Sequence, residues 1–270
     1  MLLVPSPEDK IMSQEMKNMS PTSEGATPSP GAERSRSLPE FSVASSLAEV
    51  QEAWSLVHDA YCRIGLIDRN RHGLHTVPNA VSPATSVIVG KVDQKVVSTL
   101  SIIPEAQQPI PLQKIYPDEL DALRASGHKL LEVGLLADRR EHISRAMVSI
   151  FEMMRYVFWR SYLTHTDIII GVHPHHSGFY INSFGFTQIG QESTHPLVKD
   201  HPVVLLRLDL HTTLKIEPVP KRLIHYVNNP LTDEDFANRY NFDPQEVEAS
   251  VIGSYLKEKT AQAQPLRHAC

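Results

Sequence analysis

The sequence has little cysteine and no excess of positive charge. Its 270 residues include two cysteines, Cys62 and Cys270, which excludes a disulfide framework and favours a reducing compartment. The formal net charge is −5, so the chain as a whole lacks the basic footprint of a nucleic-acid-binding protein, and we expect no nucleic-acid partner. A local basic patch for an acidic protein or a phosphate group remains compatible with that total.

Long apolar runs are also missing. No window approaches the roughly 18 consecutive apolar residues that a membrane-spanning helix requires. The first residues, Met-Leu-Leu-Val before Pro5, form too short an apolar run for a signal peptide. We therefore expect a cytoplasmic protein with no membrane span.

Residues 1 to 38 contain no aromatic side chain and are rich in proline and serine. Such a segment cannot bury enough apolar surface to offset the conformational entropy lost on folding. We predict a disordered tail over 1 to 38, a globular domain over 39 to 210, a small helical appendage over 211 to 260 and a frayed tail over 261 to 270.

Hydrophobic periodicity predicts the elements of the globular domain. An apolar helical stripe from Leu47 to Tyr61 follows a capping box at Ser46. Two alternating runs flanking Asp93 predict a β-hairpin, and Leu130 to Ala137, apolar on both faces, predicts a central strand covered on both sides. A helix, a strand, a short helix and a final strand follow. The order β-α-β-β-insert-β-α-β-α-β indicates an α/β (α+β) fold, a mixed sheet with helices on both faces.

One stretch is more specific than the periodicity. After Val172 the chain reads His-Pro-His-His-Ser-Gly-Phe-Tyr-Ile-Asn-Ser-Phe-Gly-Phe, and from Pro202 it reads Pro-Val-Val-Leu-Leu-Arg-Leu-Asp-Leu. The Phe-Tyr-x₃-Phe-Gly-Phe run resembles the last helix and turn of the GNAT acyltransferase superfamily. The fuller pattern resembles its N-acyl amino acid synthase (FeeM-like) branch, which is related to the acyl-homoserine lactone synthases.

This resemblance implies a fold and an activity. The fold is a GNAT-like, mostly antiparallel sheet whose splayed central strands admit the pantetheine arm of an acyl thioester. The activity is transfer of a long-chain acyl group from an acyl carrier protein, or from acyl-CoA, to the α-amine of an amino acid, without a tightly bound cofactor. The alternatives are an acyl-homoserine lactone synthase, an acetyl-CoA-dependent acetyltransferase and a catalytically inactive binding module.

The expected chemistry requires a base for the amine and a donor for the carbonyl oxyanion. Glu132 is the only carboxylate in the run from Leu130 to Ala137, and burial raises the pKa of a carboxyl group toward that of a useful base. It is the candidate base; the alternative is a structural carboxylate that hydrogen-bonds a neighbouring loop or forms an ion pair with Arg139 or Arg140. The backbone N–H of Gly134 or Leu135 would serve the oxyanion if the splay leaves it unpaired.

Two further residues are catalytic candidates through the resemblance. Tyr180 matches the tyrosine that lies beside the leaving sulfur in many GNAT enzymes, where a phenol protonates the thiolate or simply packs. His176 matches the histidine of the family pattern. It would orient substrate, act as acid or base, or cap the helix.

The link from 137 to 145 after the central strand contains no glycine. Most coenzyme A-using relatives have a Gly-rich loop there, whose N–H groups hold the pyrophosphate. Arg139, Arg140 and Arg145 are instead candidates for the phosphate or the acidic surface of an acyl carrier protein, with a solvated charged link as the alternative. Arg63, at the end of the first helix, is a candidate for the acceptor carboxylate.

The histidines after the second buried strand suggest a metal site. They are His173, His175, His176, His195 and His201. They are spread over a helix start and a loop, and neither a cysteine nor a paired carboxylate supports them. We therefore expect no metal ion.

Overall fold

The computed structural model describes residues 38–106, 108–139 and 143–263, without the side chains of residues 143–146 and 262–263. The predicted N-terminal tail, except for its last residue, and most of the predicted frayed tail lie outside these ranges. Within the part described, no helix is both long and apolar enough to cross a lipid bilayer.

Strands and helices alternate along the described chain. The strands are β1 (Glu40–Val43), β2 (Ser86–Val92), β3 (Lys95–Pro104), β4 (Leu130–Asp138), β5 (Asp167–Val172), β6 (Thr187–Gln188), β7 (Ser193–His195) and β8 (His201–Leu208). The helices are α1 (Leu47–Arg63), α2 (Pro117–Ala125), α3 (Ile143–Thr164), α4 (Pro174–Phe184), α5 (Leu210–Leu214), α6 (Lys221–Asn228), α7 (Asp233–Ala237), α8 (Pro244–Ala249) and α9 (Val251–Ala263). A 3₁₀ turn, Pro111–Lys114, lies in the insert between β3 and β4.

The strands form one sheet in the order β1-β2-β3-β4-β5-β8-β6, and β7 pairs with β8. The β4–β5 pair is parallel, and the other described pairs are antiparallel. This arrangement confirms the predicted mixed, mostly antiparallel sheet. Its parallel pair is joined by α3, as a parallel connection requires a crossover.

The central strands diverge. β4 and β5 pair only at Leu130, Leu131 and Glu132 of β4. Beyond Glu132, β4 continues to Asp138 beside β3 alone, and β5 continues to Val172 beside β8 alone. The predicted splay is therefore present, and Glu132 occupies the last paired position before the strands separate.

Each face of the sheet is covered. One face, called the α3 face below, packs against α3, α4 and α6 in a single core cluster that includes Leu131, Val133 and Ile170. The opposite face, called the α1 face, carries two separate clusters. One lies under α1, and the other lies under the 3₁₀ turn and α2.

Local chemistry accounts for the ends of α1. The Ser46 hydroxyl accepts the N–H of Glu49, as the capping box predicts. The return bond is displaced by one residue, because the Glu49 carboxylate accepts the N–H of Ser45 at 2.8 Å rather than that of Ser46. Beyond the last helical residue, Gly65 takes φ +78°, a left-handed conformation that glycine adopts without steric cost.

The C-terminal segment, residues 210–263, packs on both faces of the sheet. Tyr226 of α6 is buried on the α3 face, and Tyr255 of α9 is buried on the α1 face. Between these helices the chain passes the β1 edge, where the Tyr240 N–H donates to the Ala44 carbonyl at 2.8 Å. The helices of this segment therefore pack on the core of the sheet.

Candidate active site

Glu132 lies on the α1 face, between the two core clusters of that face. It pairs with Ile103 of β3 and with Ile169 of β5, and these two residues belong to different clusters. Its side chain is buried, with 6% of the residue exposed. Burial raises the pKa of Glu132 to about 8, although a hydrogen bond from the Leu112 N–H opposes the rise. At neutral pH this carboxyl group is therefore mostly protonated, with a minor ionised fraction that grows as the pH approaches 8.

The 3₁₀ turn brings a backbone donor to this carboxyl group. The Leu112 N–H donates to Oε2 of Glu132 at 2.7 Å. The chain after the turn is anchored because the Tyr116 hydroxyl donates to the Val203 carbonyl at 2.7 Å. The Leu112 side chain packs on Gly171 of β5, where a Cβ atom would stand 2.7 Å from Leu112 Cδ2. Because Gly171 has no side chain, Leu112 can approach β5 closely enough for its N–H to reach the Glu132 carboxyl group.

A β-bulge follows Glu132 on β4. Ser101 pairs with Gly134 but Thr99 pairs with Ala137, so two β4 residues oppose one residue of β3. Leu135, inside the bulge, takes φ +51°, a conformation unusual for a leucine. The bulge lies where β4 has left β5, and this is where the sequence placed the oxyanion donors Gly134 and Leu135.

Gly134 has no side chain to cover its backbone beside the Glu132 carboxyl group. Oε1 of Glu132 lies 3.7 Å from the point where a Cβ of Gly134 would stand. The Trp54 indole N–H donates to the Ser101 hydroxyl at 3.2 Å, and Ser101 is the register partner of Gly134. Helix α1 is therefore tied to the sheet directly beside the bulge.

Tyr61, near the end of α1, belongs to the surroundings of Glu132. It is buried, and its pKa is raised by burial and further by the charge of Glu132. The periodicity assigned Tyr61 only to the buried stripe of α1. An indication was available, because a phenol at the end of that stripe is an unusual polar group for a core position.

His75 lies next to Tyr61, with ring centroids 5.2 Å apart. Burial and neighbouring positive groups lower the pKa of His75 to about 3, so its imidazole is neutral at physiological pH. The polar, His-rich composition of 68 to 80 predicted only a loop. The structure does have a loop there, but His75 and its neighbours Leu74 and Val77 are buried, so this part packs as core.

Tyr180 is placed on the other face. It is fully buried in the core cluster of the α3 face, among Phe184 and Phe186 at centroid distances of 6.0 and 6.2 Å. Glu132 and Tyr180 thus lie on opposite faces of the sheet. The gap between β4 and β5 is the place where groups on the two faces can address the same bond.

His176 is the third residue of α4, and its N–H donates to the His173 carbonyl at 2.8 Å. The cap itself is His173, whose Nδ1 accepts the N–H of His175 at 3.3 Å. The capping role considered for His176 therefore belongs to His173.

Two of the candidate arginines, Arg63 and Arg139, lie near the end of β4. The Arg63 guanidinium donates to the Asp138 carbonyl at 3.3 Å, and the next residue, Arg139, donates through Nε to the Val96 carbonyl at 3.0 Å. Both arginines are exposed. Arg140 and the side chain of Arg145 lie outside the described residues.

The described residues contain one group with the spacing of metal ligands, away from the histidines considered above. It comprises His128, Asp167 and Asp209. The Arg207 guanidinium donates to Asp167 at 2.7 Å and to Asp209 at 3.2 Å, and it also lies 3.2 Å from His128. Arg207 thus supplies the positive charge for this group.

The fold and the family match indicate the same class of protein. The splayed, mostly antiparallel sheet with helices on both faces is that of the GNAT acyltransferases, and the chain is an acyltransferase enzyme. Residues 52–209 match the family described as N-acyl amino acid synthase FeeM. The match spans more than half of the chain, and the chain belongs to this family.

Solved structures support the assignment. The structure of FeeM, an N-acyl amino acid synthase from uncultured soil microbes, is 25% identical with a TM-score of 0.55, covering 64% of this chain and 90% of that one. The acyl-homoserine lactone synthase LasI shares the fold at 15% identity and a TM-score of 0.51, covering 72% of this chain and 98% of that one. No curated protein sequence matches the chain.

Proposed function

We propose that this N-acyltransferase moves a long-chain acyl group from an acyl carrier protein thioester to the α-amine of an amino acid, with Glu132 as the base. The observation that carries the proposal is the buried carboxyl group at the last paired position before β4 and β5 separate. Its pKa of about 8 suits removal of a proton from an ammonium group near neutral pH.

The reaction follows from these positions. The ionised Glu132 takes a proton from the acceptor ammonium, and the freed amine attacks the thioester carbonyl carbon. The carbonyl oxygen becomes an oxyanion that a backbone N–H of the bulge, at Gly134 or Leu135, stabilises. When the intermediate collapses, the C–S bond breaks and the amide remains. The departing thiolate takes a proton, for which the Tyr180 phenol is the candidate donor, and the second proton released by the attacking nitrogen restores that phenol.

The separation of Glu132 and Tyr180 on opposite faces favours direct transfer. The acceptor would approach from the α1 face, where the base lies, and the thioester would enter from the α3 face. The amine and the thioester would then meet in the gap between the strands, within one ternary complex. No covalent acyl-enzyme is needed, because the amine itself reaches the carbonyl carbon.

A carrier protein is the preferred donor because of the charge at the end of β4. The link that follows β4 lacks the glycines of a pyrophosphate cradle, whereas Arg139 exposes a guanidinium group there. Arg63, at the same end of β4, stays the candidate for the acceptor carboxylate. Exposed cations of this kind steer an acidic protein surface toward the site. Arg140 and Arg145 belong to the same segment of the sequence and are candidates for the same role.

Mass spectrometry of products tests the proposal. The full-length protein would be incubated with long-chain acyl carrier protein, long-chain acyl-CoA or acetyl-CoA as the donor, and with a mixture of amino acids or S-adenosylmethionine as the acceptor. We expect N-acyl amino acids, with a higher kcat/KM for the carrier thioester. Comparable kcat/KM for both donors would contradict the carrier preference. Products only from S-adenosylmethionine or only from acetyl-CoA would indicate a lactone synthase or an acetyltransferase, and no product from any pair would indicate a binding module.

A further inference from the structure

Helix α9 reaches the surroundings of Glu132 although it lies outside the residues that match the family. The family match ends at residue 209, and α9 begins at Val251. Tyr255 of α9 is nonetheless fully buried in the same core cluster as Tyr61 and Leu135. The last described helix of this chain therefore contributes to the α1 face, the side from which the acceptor would approach.

Tyr255 holds the loop that carries His75. Its hydroxyl oxygen lies 3.5 Å from Nδ1 of His75. The His75 ring in turn lies against Tyr61, which shares a core cluster with Ile103, the register partner of Glu132 on β3. A series of packed side chains thus leads from α9 toward the strands that hold the candidate base.

A second contact ties the same loop to α9 at the surface. The Glu258 carboxylate accepts from Nε2 of His72 at 2.9 Å and from Arg71 at 2.6 Å. The His72 ring also meets the edge of Tyr255, at a centroid distance of 6.0 Å. The loop is therefore held by one buried contact and one surface contact, both from α9.

We propose that Tyr255 and His75 are positioning residues for the acceptor side of the active site. Tyr255 fixes the His75 ring, His75 supports Tyr61, and Tyr61 packs in the core cluster that lies beside Glu132. This inference rests on the proposed function and assigns acceptor recognition in part to a segment that the family match does not contain.

The protonation state of His75 supports this role. Burial first, and then the neighbouring Lys259, His58 and His195, keep its imidazole neutral, so it carries one ring proton. Burial raises the pKa of Tyr255, so the phenol keeps its proton and faces Nδ1 of His75 with it. The ring proton then resides on Nε2, and a fixed tautomer has a fixed orientation.

Tyr255→Phe tests the proposal, with Tyr240→Phe as the matched control. Both changes remove one phenol oxygen from the C-terminal segment. The Tyr240 hydroxyl donates to Glu246 at 2.7 Å on the surface. We expect Tyr255→Phe to raise the acceptor KM about fivefold, the usual worth of one neutral hydrogen bond, while the donor KM stays unchanged. The control should match the wild type, and Glu258→Gln should shift the acceptor KM in the same direction by less.

A second readout does not depend on turnover. In ¹⁵N-histidine NMR of the unliganded full chain, the His75 ring should show a single Nε2–H tautomer that Tyr255→Phe converts to a mixture. If Tyr255→Phe keeps the wild-type acceptor KM and the wild-type His75 signals, the inference is wrong and the proposed function stands. If the wild type transfers no acyl group, the proposed function fails, and the NMR comparison alone then decides whether Tyr255 positions His75.

Discussion

Replacing Glu132 with glutamine separates catalysis from structure at the centre of the site. The amide keeps the size of the carboxyl group, and its oxygen can still accept the Leu112 N–H that reaches Glu132 at 2.7 Å. Basicity is the property that is lost. We expect kcat to fall about 10²-fold or more, the usual contribution of a positioned base, while the protein remains folded.

The same substitution that lowers activity is expected to raise the stability of the folded protein at high pH. The pKa of Glu132 is about 8 in the folded chain, whereas a free glutamate side chain has a pKa of 4.5. Between these values the unfolded chain has lost the proton and the folded chain has kept it, so folding becomes less favourable as the pH rises. At about 1.4 kcal/mol per pKa unit, the wild type loses roughly 3 to 4 kcal/mol between pH 5 and pH 8. Glutamine does not titrate, so the variant escapes this loss.

Two assays check the reasoning. Rates from pH 6 to 10 should show an inflection near pH 8 in the wild type that is absent from Glu132→Gln. Thermal unfolding should give similar Tm values for the two proteins at pH 5 and a higher Tm for the variant at pH 8. Near-normal turnover, together with Tm curves that stay parallel across this range, would refute the assignment of a buried base at Glu132. The base would then have to be sought at His176 or in a bound water.

Three further substitutions probe the supports of the site. Gly171→Ala adds a Cβ 2.7 Å from Leu112 Cδ2, which should displace the 3₁₀ turn and weaken its hydrogen bond to the Glu132 carboxyl group. The inflection in the pH–rate profile should then move up by about one pH unit. An unchanged inflection would show that the turn does not set the pKa of Glu132. Phe242→Ala removes a ring stacked 5.7 Å from Trp54 and should lower the free energy of unfolding, measured in denaturant, by about 3 to 5 kcal/mol. A decrease below about 1 kcal/mol would mean that the C-terminal segment packs only loosely on α1. Arg139→Glu should raise the KM for the acyl carrier protein severalfold, more at low salt, and an effect independent of salt would argue against electrostatic docking.

The sequence allowed most of the fold to be predicted because its elements carry strong local patterns. The apolar stripe and cap of α1, the two-faced apolar run of β4 and the Phe-Tyr-x₃-Phe-Gly-Phe pattern each indicated one element. The path of the C-terminal segment was not predictable in this way. The helix starts near Thr232 and Asp243 were visible, but which faces of the sheet the helices cover depends on contacts between residues far apart in sequence.

The site was predictable to the extent that its residues lie on one strand. The candidates Glu132, Gly134 and Leu135 follow one another closely along β4, so the buried run of that strand and its expected splay suggested all three. Leu112 contributes its N–H and not its side chain, and no sequence pattern identifies a backbone donor in an insert. His75 was missed because its burial depends on α9, which begins more than 170 residues later.

The contact of the C-terminal segment with both sheet faces bears on synthesis of the protein. When a ribosome has released the chain only as far as residue 209, every strand of the sheet is present, but the core partners from α6 and α9 and the Tyr240 contact at the β1 edge are still missing. An open strand edge over incomplete cores is the state in which nascent chains associate with one another. We therefore expect the nascent chain to depend on chaperones until the last helices emerge, and the Tyr255 contact to form among the final steps of folding.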